Sequence, residues 1–278
     1  MTDTRTAARA PLRVLCQHDT GSCAACCGLY NFKTRDAEAE HARLLRRTSA
    51  VLAAWPDVAA LRAARATLDA EEASDRLFQG VQVCVFAGYV DGTQRVGCLL
   101  HPTRHPTGAD LRDVGPYPKE ICAGHFCASH DWLREREATL AQSAPGTFYG
   151  QVITDAGLVK GLAGMLDDVL GRAFTVDDLH AAQPALHALW QLVRAWPYRD
   201  PDPARFGGFQ FSGSEAVERS LPSSIAATTR ALTRHQRTVL DALGTLPLTD
   251  GDVDTALTLL QACLQDIAQA VAAAEHAP

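Results

Sequence analysis

Cysteine is the residue that most constrains this chain. Nine occur in 278 residues, and eight of them, Cys16, Cys23, Cys26, Cys27, Cys84, Cys98, Cys122 and Cys127, fall within a 112-residue segment. Cys263 stands apart. The opening residues, MTDTRTAARAPLRVLC, hold no 7–15-residue apolar core behind their basic side chains, so neither a secretory signal nor a lipoprotein anchor is expected. The reading is therefore cytoplasmic, and in the cytosol thiols are kept reduced. A dense cysteine set there reads as metal-binding or catalytic before it reads as disulfides. A lone cysteine is commonly a small buried hydrophobe, which suits Cys263. It does not suit Cys23-Ala24-Ala25-Cys26-Cys27-Gly28, whose side chains carry little apolar bulk and whose glycine lets the backbone turn tightly around something.

Thiolates are soft anionic donors that bind zinc and iron–sulfur centres, whereas Mg or Ca has no reason to prefer them. A zinc ribbon uses two short C-x-x-C pairs, and this chain offers one, Cys23 with Cys26. Adjacent residues such as Cys26 and Cys27 tend to point apart. They serve most easily two ions, a polynuclear cluster, or one ligand beside one supporting thiol. Eight thiolates suffice for two zinc sites of four, or for one 4Fe–4S cluster with four thiols to spare, and the sequence leaves both open. The C-x-x-x-C-x-x-C spacing of radical enzymes that use S-adenosylmethionine is absent. Among the nearby histidines, His18, His101, His105, His125 and His130, the best placed as an alternative ligand or general base is His125, two residues from Cys127. There is no G-x-S-x-G, phosphate-binding loop, H-E-x-x-H or dinucleotide fingerprint. The pair Asp167-Asp168 reads as a solvated face.

Composition supports a folded chain: 47% of residues are apolar and 21% charged. A net charge of −6 makes nucleic acid an unlikely partner. The apolar stretch 77–90, 14 residues with two Gln and two Gly, is too short and too polar to span a bilayer, so no membrane is expected.

Periodicity predicts a helix over 34–55 that buries Leu44, Leu45, Val51, Leu52 and Trp55 and is stopped by Pro56. Arg43, Arg46 and Arg47 fall mostly opposite, as a solvated face rather than an anion patch. A second helix over 57–77 buries Val58, Leu61 and Leu68, with Arg62, Arg65, Glu71 and Glu72 in water. Together they form a helical hairpin (34–78) inserted in the cysteine set. Residues 81–90 and 94–100 read as a β-hairpin about Asp91-Gly92. A two-residue loop places Cys84 and Cys98 on opposite faces. A three-residue loop pairs Cys98 with Phe86 and brings both thiols to one side, so a shared centre predicts the longer loop or a bulge at Gly97. Ser129 is expected to cap a helix to Gln142, and Ser143-Ala144-Pro145-Gly146 to mark a domain boundary.

Beyond that boundary helices dominate. One carries Leu158, Leu162, Met165 and Leu166; the next starts at a Thr175/Asp178 capping box and runs to Pro197; a third spans 225–243; the last is capped by Thr249 and Asp252. The Pro/Gly/Phe/Ser-rich stretch 198–224 is either a lid or partner site, or a packed loop held by Phe206, Phe209 and Phe211. The fold class is thus mainly α with a small β-hairpin: a cysteine-rich metal-binding module over 12–143 and an α-helical bundle over 147–278.

The pattern resembles the bacterial cysteine-cluster family described as zinc- or iron-chelating domains and known by C-x-x-C-x-x-C-C. Cys23, Cys26 and Cys27 keep the terminal C-x-x-C-C, with six residues after Cys16 where the family has two. Cys84-Val85-Phe86, Gly97-Cys98-Leu99-Leu100 and Cys122-Ala123-Gly124-His125-Phe126-Cys127 look like its downstream cysteines. His101-Pro102 and His105-Pro106 stand where the family has Arg-Pro, so no arginine role carries over. The likeness covers roughly residues 16–130. A similar cluster occurs in flagellin lysine N-methylases with an iron–sulfur centre and S-adenosylmethionine. The resemblance implies all eight cysteines as metal ligands, with an iron–sulfur cluster (4Fe–4S) or Zn2+ as cofactor. The expected function is metal binding, with the helical part meeting an unknown protein or small-molecule partner. The alternatives are a methyltransferase-like group-transfer or redox enzyme, and a metal-delivery or redox-sensing module.

Overall fold

A computed structural model describes residues 15–19, 21–34, 36–92, 95–200, 228–246 and 249–276. The fold is mainly α with one two-stranded antiparallel hairpin. The stretch 201–224, with its three phenylalanines, lies outside the described residues, as do 225–227 at the start of the third expected helix.

The helical hairpin forms as α1 (Ala37–Ala54) and α2 (Val58–Glu72), capped by Asp36 and Asp57 carboxylates that accept backbone N–H bonds. The face α1 buries differs from the expected one. Glu40, Arg43, Leu44, Arg47 and Val51 point inward, while Leu45 and Leu52 are 41% and 60% exposed. Electrostatic pairing is the reason. Arg47 is fully buried and donates to both Glu72 oxygens, at 2.8 and 2.6 Å. Arg43 bonds Asp75 at 2.7 Å and lies 3.7 Å over the Phe32 ring. On α2, Glu72 is buried and Val58 exposed, again against expectation, and Arg65 donates to the Val114 and Gly115 carbonyls. Paired guanidinium and carboxylate groups thus take the seam that periodicity alone assigns to leucines.

Strands β1 (Ala87–Tyr89) and β2 (Val96–Cys98) pair Ala87 with Cys98 and Tyr89 with Val96. Both are shorter than expected. Val90 N donates to Arg95 O, a register that leaves more residues between the paired ends than either anticipated loop. The Asp91 carboxylate accepts from Arg95 N at 2.8 Å and stabilises that turn. Gly97 pairs regularly with Gly88, without a bulge. Cys84 precedes the strand, in a turn closed by Ala87 N to Cys84 O.

After α3 (Lys119–Gly124), the helix expected from Ser129 is broken into α4 (Ser129–Trp132) and α5 (Glu135–Gln142). Ser129 does not cap: its hydroxyl donates to the Ile153 carbonyl. Then follow α6 (Phe148–Thr154), α7 (Ala156–Leu170), α8 (Val176–Ala181), α9 (Gln183–Arg194), α10 (Arg234–Ala242) and α11 (Asp250–Glu275). The Thr175/Asp178 and Thr249/Asp252 capping boxes form as expected. The helix expected to run from Thr175 to Pro197 is divided at Ala182, where Pro184 starts α9. α10 begins only at Arg234, after a Thr233/Gln236 capping box; upstream, the Thr228 hydroxyl bonds Asp250 instead. Asp167 accepts two Arg136 bonds at 2.7 Å and is not merely solvated.

The main core gathers Trp190, Leu162, Leu166, Leu186, Val239, Leu260 and Ile267 from α7, α9, α10 and α11. Leu15, with Ala138, Leu140 and Ala141 of α5, packs into the same core. By length and apolar content α11 passes for a membrane span, with mean hydropathy 1.2. It is amphipathic in place: Val253, Leu260, Leu264, Ile267 and Val271 are buried, and Thr258, Gln261, Gln265, Asp266 and Gln269 are exposed.

The Arg47–Glu72 pair yields a prediction. Arg47→Ala strands a buried carboxylate and should cost about 3–5 kcal/mol, whereas Arg47→Met with Glu72→Leu should recover most of that loss. Urea midpoints of the two variants measure the difference, and equal losses would refute it.

Candidate metal centre

The first cysteine run folds as a loop and a single 3-10 turn, Ala25–Cys27, with Ala24 and Ala25 buried beneath it. Cys23 N donates to Cys16 O at 2.9 Å and closes the loop between those two cysteines. Gly28 then takes φ +75°, and a Cβ there would lie 2.6 Å from Gln82 O and 3.0 Å from Val83 Cα. Only glycine fits such a left-handed close approach. It brings two distant segments together, with Cys84 N donating to Cys27 O at 2.8 Å. The buried Asn31 locks the junction: its Nδ2 donates to the Phe78 and Val81 carbonyls, and its Oδ1 accepts from Phe78 N.

Cys27, Cys84 and Cys98 pack into one apolar cluster with Val51, Leu61, Phe86, Leu99, Leu100 and Val114. Gly115 lies beside Cys84, where an added Cβ would stand 3.8 Å from its Sγ. The 112–114 turn carries α3, and on it the exposed Cys122, held through Lys119 N to Asp113 at 2.9 Å.

Cys16, Cys23 and Cys127 are anchored elsewhere, on α6. Tyr149 Oη donates to the carbonyl of Leu15, the residue before Cys16. Cys23 Sγ lies 3.8 Å from Gly150 O, and Ser129, two residues past Cys127, bonds Ile153 O. Gly150 is needed for this approach, since a Cβ there would lie 1.9 Å from Tyr30 Oη and 3.0 Å from Cys23 Cα. Cys127 Sγ is 3.6 Å from His130 Nδ1, while His130 Nε2 accepts from Leu15 N at 3.1 Å. With Nε2 accepting, the neutral ring carries its proton on Nδ1 and points that donor at the sulfur.

His130 thus faces the Cys127 sulfur, while His125 is exposed at the end of α3. The legible signal was its spacing, three residues after Cys127, which places both on one side of a helical turn. His101 and His105 bond their own neighbours Thr103 and Thr107, and His18 packs edge-on to Tyr149. Asn31, Tyr149 and Gly150 carry no local sequence signal, because their roles arise from long-range contacts.

The electrostatics agree with crowded thiols. Burial first, and then the neighbouring Cys26 and Cys127, push Cys16 up to about 12. Burial also pushes Cys84 up to about 12 and Cys98 to about 11, with Cys98 and Cys122 respectively adding to the effect. Cys23 is raised by burial. The adjacent pair behaves differently: a hydrogen bond from the Cys27 thiol lowers Cys26 to about 7, and the same bond raises Cys27. Cys26 is exposed and Cys27 half-buried. As placed, no three His, Cys, Asp or Glu side chains among the described residues converge tightly enough to hold a metal ion. What the arrangement offers is eight soft donors gathered from distant segments. Ionising them together is costly unless a cation compensates their charge.

Comparisons with known proteins give no match to a family model, a curated protein or a solved structure.

Gly28→Ala tests the junction without removing a thiol. It should cost more than about 1 kcal/mol through the left-handed backbone alone and loosen the Cys84–Cys27 contact. Faster alkylation of the buried Cys84, measured by peptide mapping, is the expected outcome; an unchanged rate would show that the close approach is dispensable.

Proposed function

We propose that this is a metal-binding protein whose thiols between Cys16 and Cys127 hold an iron–sulfur centre or zinc, with the helical part meeting a partner or substrate. The observation that carries the reading is the convergence of five separate chain segments, around 16, 23–27, 84, 98 and 122–127, each bringing cysteine. Cys263, on α11, packs against the helical core and has Asp266 as its charged neighbour. Hydrophobic packing of isolated thiols explains Cys263. It does not explain Cys26 and Cys122, which are exposed.

The donor set has the soft chemistry that zinc and iron–sulfur centres take. Cys16 and Cys23 lie in loop, and Cys122 lies in a six-residue helix with no buried residue. A bound metal would supply the missing cohesion, and as a cluster would also supply one-electron chemistry. His130 Nδ1–H would point at the Cys127 sulfur, and Asn31 and Gly28 would hold Cys27 against Cys84.

Anaerobic purification with elemental analysis tests this. Near-stoichiometric metal is expected: either iron and sulfide with a broad band at roughly 400 nm, or colourless protein with zinc. A chelator under reducing conditions should then make the 101–127 region protease-sensitive, while most helical circular dichroism persists. Identical protease resistance and circular dichroism with and without chelator would overturn the proposal.

A further inference from the structure

We infer that the eight thiols form two separate four-thiol metal centres, one from Cys16, Cys23, Cys26 and Cys127 and the other from Cys27, Cys84, Cys98 and Cys122. The inference rests on the metal-binding reading and specifies what the sequence leaves open.

Two different supports hold the two sets. The first is fastened to the helical core through α6: Tyr149 holds the Leu15 carbonyl, Gly150 faces Cys23, and Ile153 accepts from Ser129. His130 closes this set by joining Leu15 N to the Cys127 sulfur. The second is fastened to the helical hairpin: Cys27, Cys84 and Cys98 share one apolar cluster with Val51 of α1 and Leu61 of α2. Gly115 beside Cys84 is held by Arg65 of α2, and the adjoining turn carries α3 with Cys122.

The Cys26–Cys27 peptide is the boundary. Within the 3-10 turn Ala25–Cys27, neighbouring side chains point about 120° apart. Cys23, just before the turn, and Cys26 form the chain's C-x-x-C pair, whereas Cys27 packs into the apolar clusters while Cys26 stays exposed. Each set has the four thiolates that one tetrahedral zinc ion or one 4Fe–4S cluster takes.

The test uses the full chain, loaded under reducing, anaerobic conditions with Zn2+ alone in one arm and with iron plus sulfide in the other, and read by native mass spectrometry. The expected wild-type load is two zinc ions, or about eight iron and eight sulfide. The double variants Cys84→Ser with Cys98→Ser, and Cys16→Ser with Cys127→Ser, should each lose half the metal and keep the rest. Loss of all metal from either variant, or a wild type that saturates at one zinc or four iron per chain, would overturn the division while leaving metal binding intact. A wild type that takes up neither metal would instead sink the metal-binding reading, and the division with it. In case a variant misfolds, a chelator titration of loaded wild type is followed by thiol alkylation and peptide mapping. Thiols released in two blocks with the stated memberships are expected, and release as one block of eight refutes the division.

Discussion

The structure of the cysteine region depends on a close approach of two backbones. Gly28, in the left-handed conformation, lets residues 82–84 run against the first cysteine turn, and Cys84 N bonds Cys27 O. Any side chain at position 28 would enter the space of Gln82 O. From this contact follow the position of Cys84 beside Cys27, the turn that leads into β1, and the register that sets Cys98 opposite Ala87. Asn31, itself buried, reinforces the contact by bonding three backbone groups of Phe78 and Val81 in the turn that leads to it.

A second constraint couples the thiol segments to the helical part. Leu15, α5 and α6 belong to the same core as Trp190 and Leu260, and α6 presents the groups that hold the Cys16, Cys23 and Cys127 segments. The helical core thus acts as scaffold for the loops that lack apolar content. On the metal-binding reading, occupancy of the first thiol set bears directly on α6, and through it on whatever the helical part meets.

The sequence reading failed where paired charges compete with apolar periodicity. On α1, Leu45 and Leu52 fit a hydrophobic stripe as well as Leu44 and Val51 do, and only partners on α2 and the following turn decide that Arg43 and Arg47 go inside. Bidentate bonding to Glu72 offsets the desolvation of Arg47. The hairpin loop was misjudged for a related reason: Asp91-Gly92 signals a turn, but the bond from Arg95 N to the Asp91 carboxylate selects a longer connection. Chain proximity favours His125, and only the distant Leu15 N, by bonding the other ring nitrogen, turns His130 toward the Cys127 sulfur.

By itself the sequence determined the features whose physics is local. Helix content, the Thr175 and Thr249 caps, the buried ladder of α11, and the donor chemistry of the cysteines all follow from spacing, capping and side-chain type. The tertiary structure decided what requires a partner distant in the chain. It chose which arginines are buried, which histidine faces a thiol, and which thiols pack into apolar clusters while Cys26 and Cys122 stay exposed. Short-range periodicity carries no information about such pairings, because their energy resides in contacts between segments tens of residues apart.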